Sequence, residues 1–329
     1  MRILSLFSGI GSIEKALSNI GLDYDLIGFS EVDKKAIETY CLIHNVNVTK
    51  NLGDIKNINI KSLPKDLDLI CHGSPCQDFS KNGKGLGGDK NSNTRSSLLW
   101  NSVEIIKNTK PKYIIWENVR NVISKKHRHT FDAYIDSLEN VGYTSHYKIL
   151  NSKYFGVPQS RERVFTISIR NDLNKNFIFP VETKLKTKLM DWLDEKVDNK
   201  YYEINNLSLS LFLGKENGGL KVKQATKKGY DIAYIGDAIN IGNVTSKTRR
   251  GRVGKGVAQT LITQCEQVTI CPNTNRLRKL TPHEYWTLMG FNDDDFNKAR
   301  EINSDTSLYK LAGNSIVVPV LEKILENLI

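Results

Sequence analysis

The chain has 329 residues, 39% of them hydrophobic, and carries 47 Lys and Arg against 36 Asp and Glu, a formal net charge of +11. This length and composition indicate a globular protein with enough apolar surface for one large domain or two of ordinary size, not a disordered chain. The positive charge favours a polyanionic partner, although a basic enzyme without such a partner has the same composition.

The cysteines favour neither a disulfide framework nor a metal centre. They are odd in number, and none forms a Cys-x-x-Cys pair or lies near histidines at metal-ligand spacing. No apolar run approaches ~18 residues and no signal core follows the start, so we expect no membrane span, no export and a cytoplasmic location. The cysteines are Cys41, Cys71, Cys76, Cys265 and Cys271.

A strand, a glycine turn and a helix are predicted at the start of the chain. Residues 3–7 are apolar and lead into Gly9-Ile10-Gly11, after which residues 13–17 take helical spacing toward a helix stop at Gly21. The turn lacks the third glycine of the dinucleotide fingerprint, which disfavours a nicotinamide dinucleotide. An ordinary tight turn without a ligand is the alternative.

The next strand and helix complete a βαβ unit. Residues 26–29 predict the strand, residues 34–44 predict the helix, and Glu31 lies between them. A carboxylate about 20 residues after the glycine turn is placed to reach the ribose hydroxyls of a bound nucleoside.

Cys76 lies in a polar loop directly after the apolar run of residues 67–71. Open α/β sheets bind their substrates at the carboxyl ends of the strands, so a thiol there is a candidate nucleophile if its thiolate is favoured. A small buried hydrophobe is the alternative. Residues 80–96 are polar, rich in glycine and cationic, and we interpret them as a lid over a phosphate backbone, with a plain disordered loop as the alternative.

Glu117 follows a predicted strand over residues 112–116. We interpret it as a candidate acid that faces Cys76 across neighbouring loops, and a solvated loop acid is the alternative. Further along, Arg161 and Arg163 alternate on an extended segment, so we expect both side chains on the same face.

Residues 172–270 are rich in Lys, Asn, Gly and Thr, predict scattered short strands, and contain their densest basic stretch at residues 247–255. Thr281-Pro282-His283-Glu284 then predicts a helix start with a capping box and with proline at the first helical position. A last helix over residues 314–328 is expected to pack onto the first domain.

Six short stretches, in this order, resemble the motifs of the DNA (cytosine-5)-methyltransferase family, in its bacterial or phage restriction-modification type. The resemblance covers most of the chain except about residues 175–275. The stretches are Phe7-Ser8-Gly9-Ile10-Gly11, residues 73–80, Glu117-Asn118-Val119, Gln159-Ser160-Arg161-Glu162-Arg163, residues 276–282, and Gly313-Asn314-Ser315.

The resemblance implies an α/β fold: a doubly wound, mostly parallel, Rossmann-like sheet with a second, smaller, mainly β target-recognition domain. By this resemblance, residues 1–174 form the catalytic and cofactor-binding domain, residues 175–275 form the target-recognition domain, and residues 276–329 return to the catalytic domain.

The resemblance also implies the reaction: methylation at C5 of a cytosine that is flipped out of duplex DNA within a short specific sequence. Cys76 would attack C6 in a covalent intermediate, and Glu117 would protonate N3. For this we expect partial burial to raise the pKa of Glu117. Arg163 would bind the cytosine O2, and Arg161 would orient Glu117 or a phosphate.

The implied methyl donor is S-adenosyl-L-methionine, with S-adenosyl-L-homocysteine as product. In the family pattern Asp54 binds the adenine amino group, Glu31 holds the ribose, and Ile55 flanks the ring with Val32, which stands where some relatives carry an aromatic residue. The expected cofactor-binding residues are Phe7, Gly9, Ile10, Gly11, Glu31, Val32, Asp54, Ile55, Pro75, Leu98, Asn314 and Ser315.

The implied partner is double-stranded DNA, and we expect a monomer without metal or membrane. The recognition sequence, the modified cytosine and a restriction endonuclease acting on the same site remain open. The resemblance assigns no role to the arginines of residues 247–255, which either read guanine or hold phosphates. The expected DNA-binding residues are Gln77, Ser80, Lys81, Lys84, Arg95, Arg249, Arg250 and Arg252.

Three other functions remain open at this point. Members of the same family methylate transfer RNA, although the long variable segment favours reading of a duplex. A catalytically inactive DNA-binding relative is disfavoured by the presence of both Cys76 and Glu117. A thiol oxidoreductase would pair Cys71 with Cys76, whose spacing and placement disfavour it.

Overall fold

The computed structural model describes residues 1–79, 86–90, 92 and 94–329. The chain divides into two compact units. Unit 1 comprises Met1–Leu150, Glu162–Val181 and Val320–Ile329, and unit 2 comprises Asn151–Arg161 and Glu182–Pro319. These bounds differ from the predicted ones, because residues 276–319 lie in unit 2 and only the final residues return to unit 1. The functional names given to the domains stay predictions.

The sheet of unit 1 has the strand order β2-β1-β3-β4-β7-β5 among the described residues. The pairs β1·β2, β1·β3 and β3·β4 are parallel, and β7 is antiparallel to β4. The order reverses at β1, and right-handed crossovers therefore place connections on both faces of the sheet. This confirms the doubly wound, mostly parallel fold. The strands are β1 (Arg2–Leu6), β2 (Asp25–Ser30), β3 (Leu69–His72), β4 (Tyr113–Val119), β5 (Tyr143–Asn151) and β7 (Glu162–Arg170).

The helices of unit 1 follow the predicted apolar spacing. The second helix has the predicted bounds, and the Asp33 carboxylate caps it by accepting hydrogen bonds from the Lys35 and Ala36 amides. Strands and helices together bury a core that includes Ile70, Ile114 and Trp116. No helix among the described residues is long and apolar enough to cross a membrane. The helices are α1 (Ser12–Asn19), α2 (Lys34–His44), α3 (Leu99–Thr109) and α4 (Arg128–Glu139).

Unit 2 is built from small sheets, as the scattered short strands predicted. Within the described residues they have the strand orders β10-β9-β8, β12-β11-β14-β15 and β13-β6, and the first two are antiparallel. Val222, Ile239 and Val268 are buried in their common core. The strands are β6 (Gln159–Ser160), β8 (Phe212–Glu216), β9 (Gly219–Lys223), β10 (Tyr230–Ala233), β11 (Ala238–Asn240), β12 (Val253–Gly254), β13 (Ala258–Gln259), β14 (Gln267–Ile270) and β15 (Leu277–Lys279).

The helices of unit 2 and the last helix confirm one prediction and correct another. Thr281 and Glu284 form the predicted capping box. The predicted last helix ends at Leu328 as expected but begins at Val318 and not at residue 314, because Ser315 is extended (ψ 157°) and ends the preceding helix. Pro319 lies in the first turn of the last helix, where its missing N–H costs nothing. These helices are α5 (Asn206–Leu209), α6 (Pro282–Thr287), α7 (Asp293–Ile302), α8 (Asp305–Asn314) and α9 (Val318–Leu328).

Candidate active site

The glycine turn after β1 has the backbone that its sequence requires. Phe7 (φ 54°), Gly9 (φ 55°) and Gly11 (φ 81°) are left-handed. A Cβ added to Gly11 would lie 2.2 Å from His44 Nε2, whereas one added to Gly9 would meet no described atom within 4 Å. His44 Nε2 also lies 2.9 Å from the Ile10 carbonyl oxygen. The turn therefore packs against α2 at Gly11, whereas the space beside Gly9 is open.

Glu31 is tied to this turn at the carboxyl end of β2. Its Oε2 accepts a hydrogen bond from the Gly9 amide (2.9 Å), and its Oε1 accepts from the amides of Val32 (2.7 Å) and Asp33 (2.9 Å). A carboxylate has about four acceptor sites, so this one has capacity for a further donor. The side chain is thus fixed beside the turn, where the family pattern expects a ribose.

Asn51 is a site residue that sequence reasoning missed. Its Oδ1 accepts from the amides of Glu31 (3.2 Å) and Gly53 (3.1 Å), and its Nδ2 donates to the Glu31 carbonyl (3.2 Å). It therefore joins the end of β2 to the loop that carries Asp54. The only sequence signal was an asparagine two residues before a glycine, which is a common turn pattern.

The three residues expected around an adenine ring differ in exposure. The Asp54 carboxylate caps a short 3-10 helix through the Lys56 amide (3.0 Å). Ile55 is buried, and Val32 is 64% exposed. The exposed side chain of Val32 offers apolar surface that a flat ring can cover.

The Cys76 loop is anchored on its carboxyl side. The Asp78 amide donates to Ser96 Oγ (3.2 Å), and the Ser96 amide donates to Asp78 Oδ2 (3.1 Å). Asn121 Nδ2 donates to the Phe79 carbonyl (2.6 Å). These bonds fix the loop, and Cys76 itself is half-buried.

Other predicted residues lie on the same loops. Gln77 and Arg95 are exposed, and Arg95 donates to the Gln77 side-chain oxygen (3.1 Å). Pro75 and Leu98 are half-buried. The predicted DNA contacts Ser80, Lys81 and Lys84 lie outside the described residues, as does part of the predicted lid.

Glu117 is paired with Arg163. Arg163 Nε lies 3.0 Å from Glu117 Oε1, and both side chains are largely buried. The pairing of β4 with β7 explains the contact: Glu117 lies opposite Phe165 and Val119 opposite Arg163, which makes Glu117 and Arg163 diagonal neighbours on one face. Glu117 is thus not a solvated loop acid. Arg163 is an arginine partner of Glu117; the resemblance gave Arg161 the orientation of Glu117 or of a phosphate.

Arg161 has a different place from the expected one. It is 4% exposed. Its guanidinium donates to the carbonyls of Leu261 (2.8 Å), Gly313 (3.1 Å) and Ser315 (2.9 Å), all in unit 2. These bonds replace the expected role as a phosphate ligand, and they hold the Gly313-Asn314-Ser315 stretch. Within it Asn314 is exposed and Ser315 is buried.

The three arginines of the basic stretch are not equivalent. Arg252 is 1% exposed and donates to the carbonyls of Asn240 (3.0 Å), Gly242 (2.7 Å) and Asn243 (2.8 Å). This corrects its assignment as a DNA-binding residue, because its donors are used inside unit 2. Arg250 is exposed with one bond, from Nε to the Ala225 carbonyl (3.1 Å), and Arg249 is half-buried.

The environment of Cys71 bears on the thiol oxidoreductase alternative. Cys71 is a buried residue of β3, and burial raises the pKa of its thiol well above the ordinary value, with smaller contributions from the Glu14 and Glu117 carboxylates. A thiol held protonated is a poor partner for disulfide exchange. The geometry therefore favours Cys76 as the reactive thiol.

Known proteins match this chain over its whole length. A family model described as C-5 cytosine-specific DNA methylase matches residues 1–329. The orphan methyltransferase M.SPRI of Bacillus phage SPR is 31% identical over 431 residues, covering 100% of this chain and 97% of that protein. The type II methyltransferase M.Bsp6I of Bacillus sp. (strain RFL6) is 32% identical over 335 residues, covering 100% of this chain and 98% of that protein.

Solved structures share the fold. A DNMT2 mutant of Spodoptera frugiperda gives a TM-score of 0.68 at 20% identity and covers 99% of this chain and 99% of its own. The methyltransferase EhMeth of Entamoeba histolytica gives 0.65 at 17% identity, covering 100% and 97%. With the family model spanning the whole sequence, the chain belongs to the C-5 cytosine-specific DNA methylases, enzymes that use a methyl donor.

Proposed function

We propose that this enzyme methylates C5 of a cytosine flipped out of duplex DNA within a short specific sequence, with S-adenosyl-L-methionine as methyl donor. The observation that carries the proposal is the placement of Cys76 and Glu117. β3 and β4 are parallel neighbours with His72 opposite Trp116, so Cys76 follows one strand where Glu117 occupies the next. A thiol and a carboxyl at one edge of a sheet suit addition to a ring combined with proton transfer.

The residues around the glycine turn fit S-adenosyl-L-methionine. Gly9 lies open to an approaching ligand, the Glu31 carboxylate suits ribose hydroxyls, and Val32 offers apolar surface to an adenine. The turn has no third glycine and so is not adapted to a pyrophosphate. When bound, this donor supplies an electrophilic methyl group.

Cys76 makes the cytosine ring reactive. C5 of cytosine is a poor nucleophile, and addition of the thiolate to C6 forms an S–C6 bond and moves the electron pair of the C5–C6 double bond toward C5. Glu117 donates a proton to N3, so negative charge does not build up on the ring. After C5 is methylated, its proton leaves to solvent water, the C5–C6 double bond re-forms and the Cys76 thiolate is expelled. N3 then returns its proton to the Glu117 carboxylate.

Arg163 is placed to contact both Glu117 and a flipped base. An arginine beside a carboxyl group favours the ionised form, whereas exclusion of water favours the protonated form. A flipped base that covers Glu117 and accepts a hydrogen bond from Arg163 at O2 changes both influences toward protonation.

The base must leave the duplex for this chemistry. C6 is inaccessible in a stacked helix, and flipping a base out costs a few kcal/mol. Contacts with the backbone repay that cost, and we assign them to the loop residues Gln77 and Arg95 in unit 1 and to Arg249 and Arg250 in unit 2, all basic or amide side chains.

The test is bisulfite sequencing of plasmid DNA from cells that express the wild type or Cys76→Ala. We expect protected cytosines at one recurring short sequence with the wild type and none with the variant, while both proteins bind DNA in a gel-shift assay. Plasmid without protected cytosines from cells that contain folded wild-type protein would contradict the proposal. Protection by Cys76→Ala would contradict the covalent mechanism alone.

A further inference from the structure

A hydrogen bond links the loop that carries Cys76 to the strand that carries Glu117. Trp116 precedes Glu117 on β4, and Ser74 lies two residues before Cys76. Trp116 Nε1 donates a hydrogen bond to Ser74 Oγ (3.0 Å), and both residues are buried.

A second contact holds the same residue of the loop. Asn118 Nδ2 donates to the Ser74 carbonyl (3.1 Å). Because side chains alternate along a strand, Trp116 and Asn118 share one face of β4 while Glu117 faces the other, toward Arg163. The loop is therefore attached to the residues on both sides of Glu117.

Trp116 is itself fixed by aromatic packing. Its ring lies 6.0 Å from His72 at 10° and 5.7 Å from Phe131 at 21°, and 4.3 Å from Tyr134. His72 Nε2 and the Tyr134 hydroxyl are 3.0 Å apart. These rings hold the indole in one position, so its N–H fixes the position of Ser74.

We propose that Trp116 and Ser74 are positioning residues that set the place of the Cys76 thiol relative to the Glu117 carboxyl. The inference rests on the proposed function, in which both groups act on one pyrimidine ring, at C6 and N3. Neither residue touches the substrate. A displacement of ~1 Å between reacting groups can lower a rate about 100-fold, so a single bond at this point has a large effect on turnover.

The test separates positioning from a purely stabilising role. Trp116→Phe removes the donor and Ser74→Ala removes the acceptor. We expect each variant to lower kcat by about 10- to 100-fold. The double variant should have the kcat of Ser74→Ala, because Ser74→Ala already removes the bond from Trp116 together with a longer one from Asn118 Nδ2 to Ser74 Oγ (3.4 Å). The Kd for S-adenosyl-L-methionine should change much less than kcat, since Pro75 is the one predicted cofactor-binding residue in the displaced loop, whereas the glycine turn, Glu31 and Asp54 are not touched.

The matched control is Tyr143→Phe. The Tyr143 hydroxyl is buried and donates to the Pro111 carbonyl (2.7 Å), just before the amino end of β4. Its loss removes one buried hydrogen bond from the same unit, so we expect a lower melting temperature with unchanged kcat. All rates are measured well below the melting temperature of each variant, after circular dichroism has verified folding.

Two outcomes overturn different statements. If the wild type methylates DNA and forms a covalent adduct with 5-fluorocytosine DNA, but Ser74→Ala and Trp116→Phe keep its kcat, the positioning role is wrong and the bond serves stability only. If the wild type itself neither methylates nor forms the adduct, the proposed function fails. Should Trp116→Phe fail to fold, Ser74→Ala alone decides the question.

Discussion

The active-site edge of unit 1 and the basic loop of unit 2 use arginine in opposite ways. In unit 1, Arg163 meets the carboxylate of Glu117 at 3.0 Å near the end of a strand. In unit 2, Arg252 is enclosed and donates to three main-chain carbonyls. A carboxylate partner can be exchanged for a substrate oxygen, whereas leaving the buried carbonyls of Asn240 and Gly242 unpaired is costly. The partner of an arginine, more than its place in a basic sequence, decides whether it can bind a ligand.

The largest effect is expected on the unit 1 side of this comparison. Glu117→Gln keeps an acceptor for Arg163 but has no acidic proton, and general acid catalysis contributes about 100- to 10,000-fold. We expect kcat to fall within that range while the Kd for S-adenosyl-L-methionine is unchanged. Single-turnover methylation and equilibrium binding of the methyl donor measure the two quantities. Turnover equal to that of the wild type would remove Glu117 from the mechanism.

Arg252→Ala tests whether the buried arginine of unit 2 stabilises the fold. The substitution leaves the buried carbonyls of Asn240 and Gly242, and the partly buried carbonyl of Asn243, without their donor. This costs about 3 kcal/mol of unfolding free energy. Urea unfolding measures the loss. Arg250→Ala is the matched control, because Arg250 is exposed and makes a single bond, and we expect it to be nearly neutral in stability. Equal stability of the two variants would mean that the buried guanidinium has no structural role.

The sequence predicted elements whose determinants are local. The bounds of α2 followed from apolar spacing, and Asp33 caps it from the adjacent position. The capping box of α6 lies within four consecutive residues. In both cases the hydrogen-bond partners are near neighbours in sequence, so the pattern alone was sufficient.

Sites made by distant segments were missed or misplaced. Arg161 and Arg163 were expected on one face, which requires one continuous strand. In the structure two strands of different sheets take the place of one: β6 pairs with β13, and β7 pairs with β4. Arg161 lies between these two strands and Arg163 lies within β7, so the alternation of side chains along one strand does not apply to them. The partners of Arg252 are carbonyls about ten residues earlier in the chain. Nothing in the spacing of a basic stretch shows that its arginine will be enclosed.

Unit 2 also contains a charge cluster that makes stability depend on pH. His283 Nδ1 lies 2.7 Å from Asp194 Oδ1, and His283 Nε2 lies 3.0 Å from Asp293 Oδ1. Mainly the hydrogen bond to Asp194 raises the pKa of His283 to about 9. Because this value is above that of the unfolded chain, about 6.5, the stabilisation is complete below pH ~6.5 and disappears as the pH rises through ~9.

The matched variant for this cluster is His283→Gln. We expect the wild type to exceed it in unfolding free energy by roughly 2 kcal/mol at pH 6 and by much less at pH ~9.5. Urea unfolding at several pH values measures the difference. A difference that stays constant or grows with pH would show that the imidazolium does not stabilise unit 2.

The smallest effects are expected on DNA binding, from Arg249→Ala and Arg250→Ala. These arginines lie in the same basic stretch as Arg252 but are not enclosed, so they test whether an arginine of this stretch that keeps solvent contact binds DNA. A phosphate contact adds affinity at every sequence, and its loss lowers the salt dependence of DNA binding by about one unit of slope. An arginine that reads guanine through O6 and N7 instead contributes ~1–3 kcal/mol of discrimination. We expect at least one of the two variants to relax the sequence preference and the other to reduce mainly the slope.

Arg300→Ala changes an exposed arginine on α7 of the same unit and controls for loss of charge alone. If both variants match Arg300→Ala in preference and slope, DNA is recognised by other residues of unit 2.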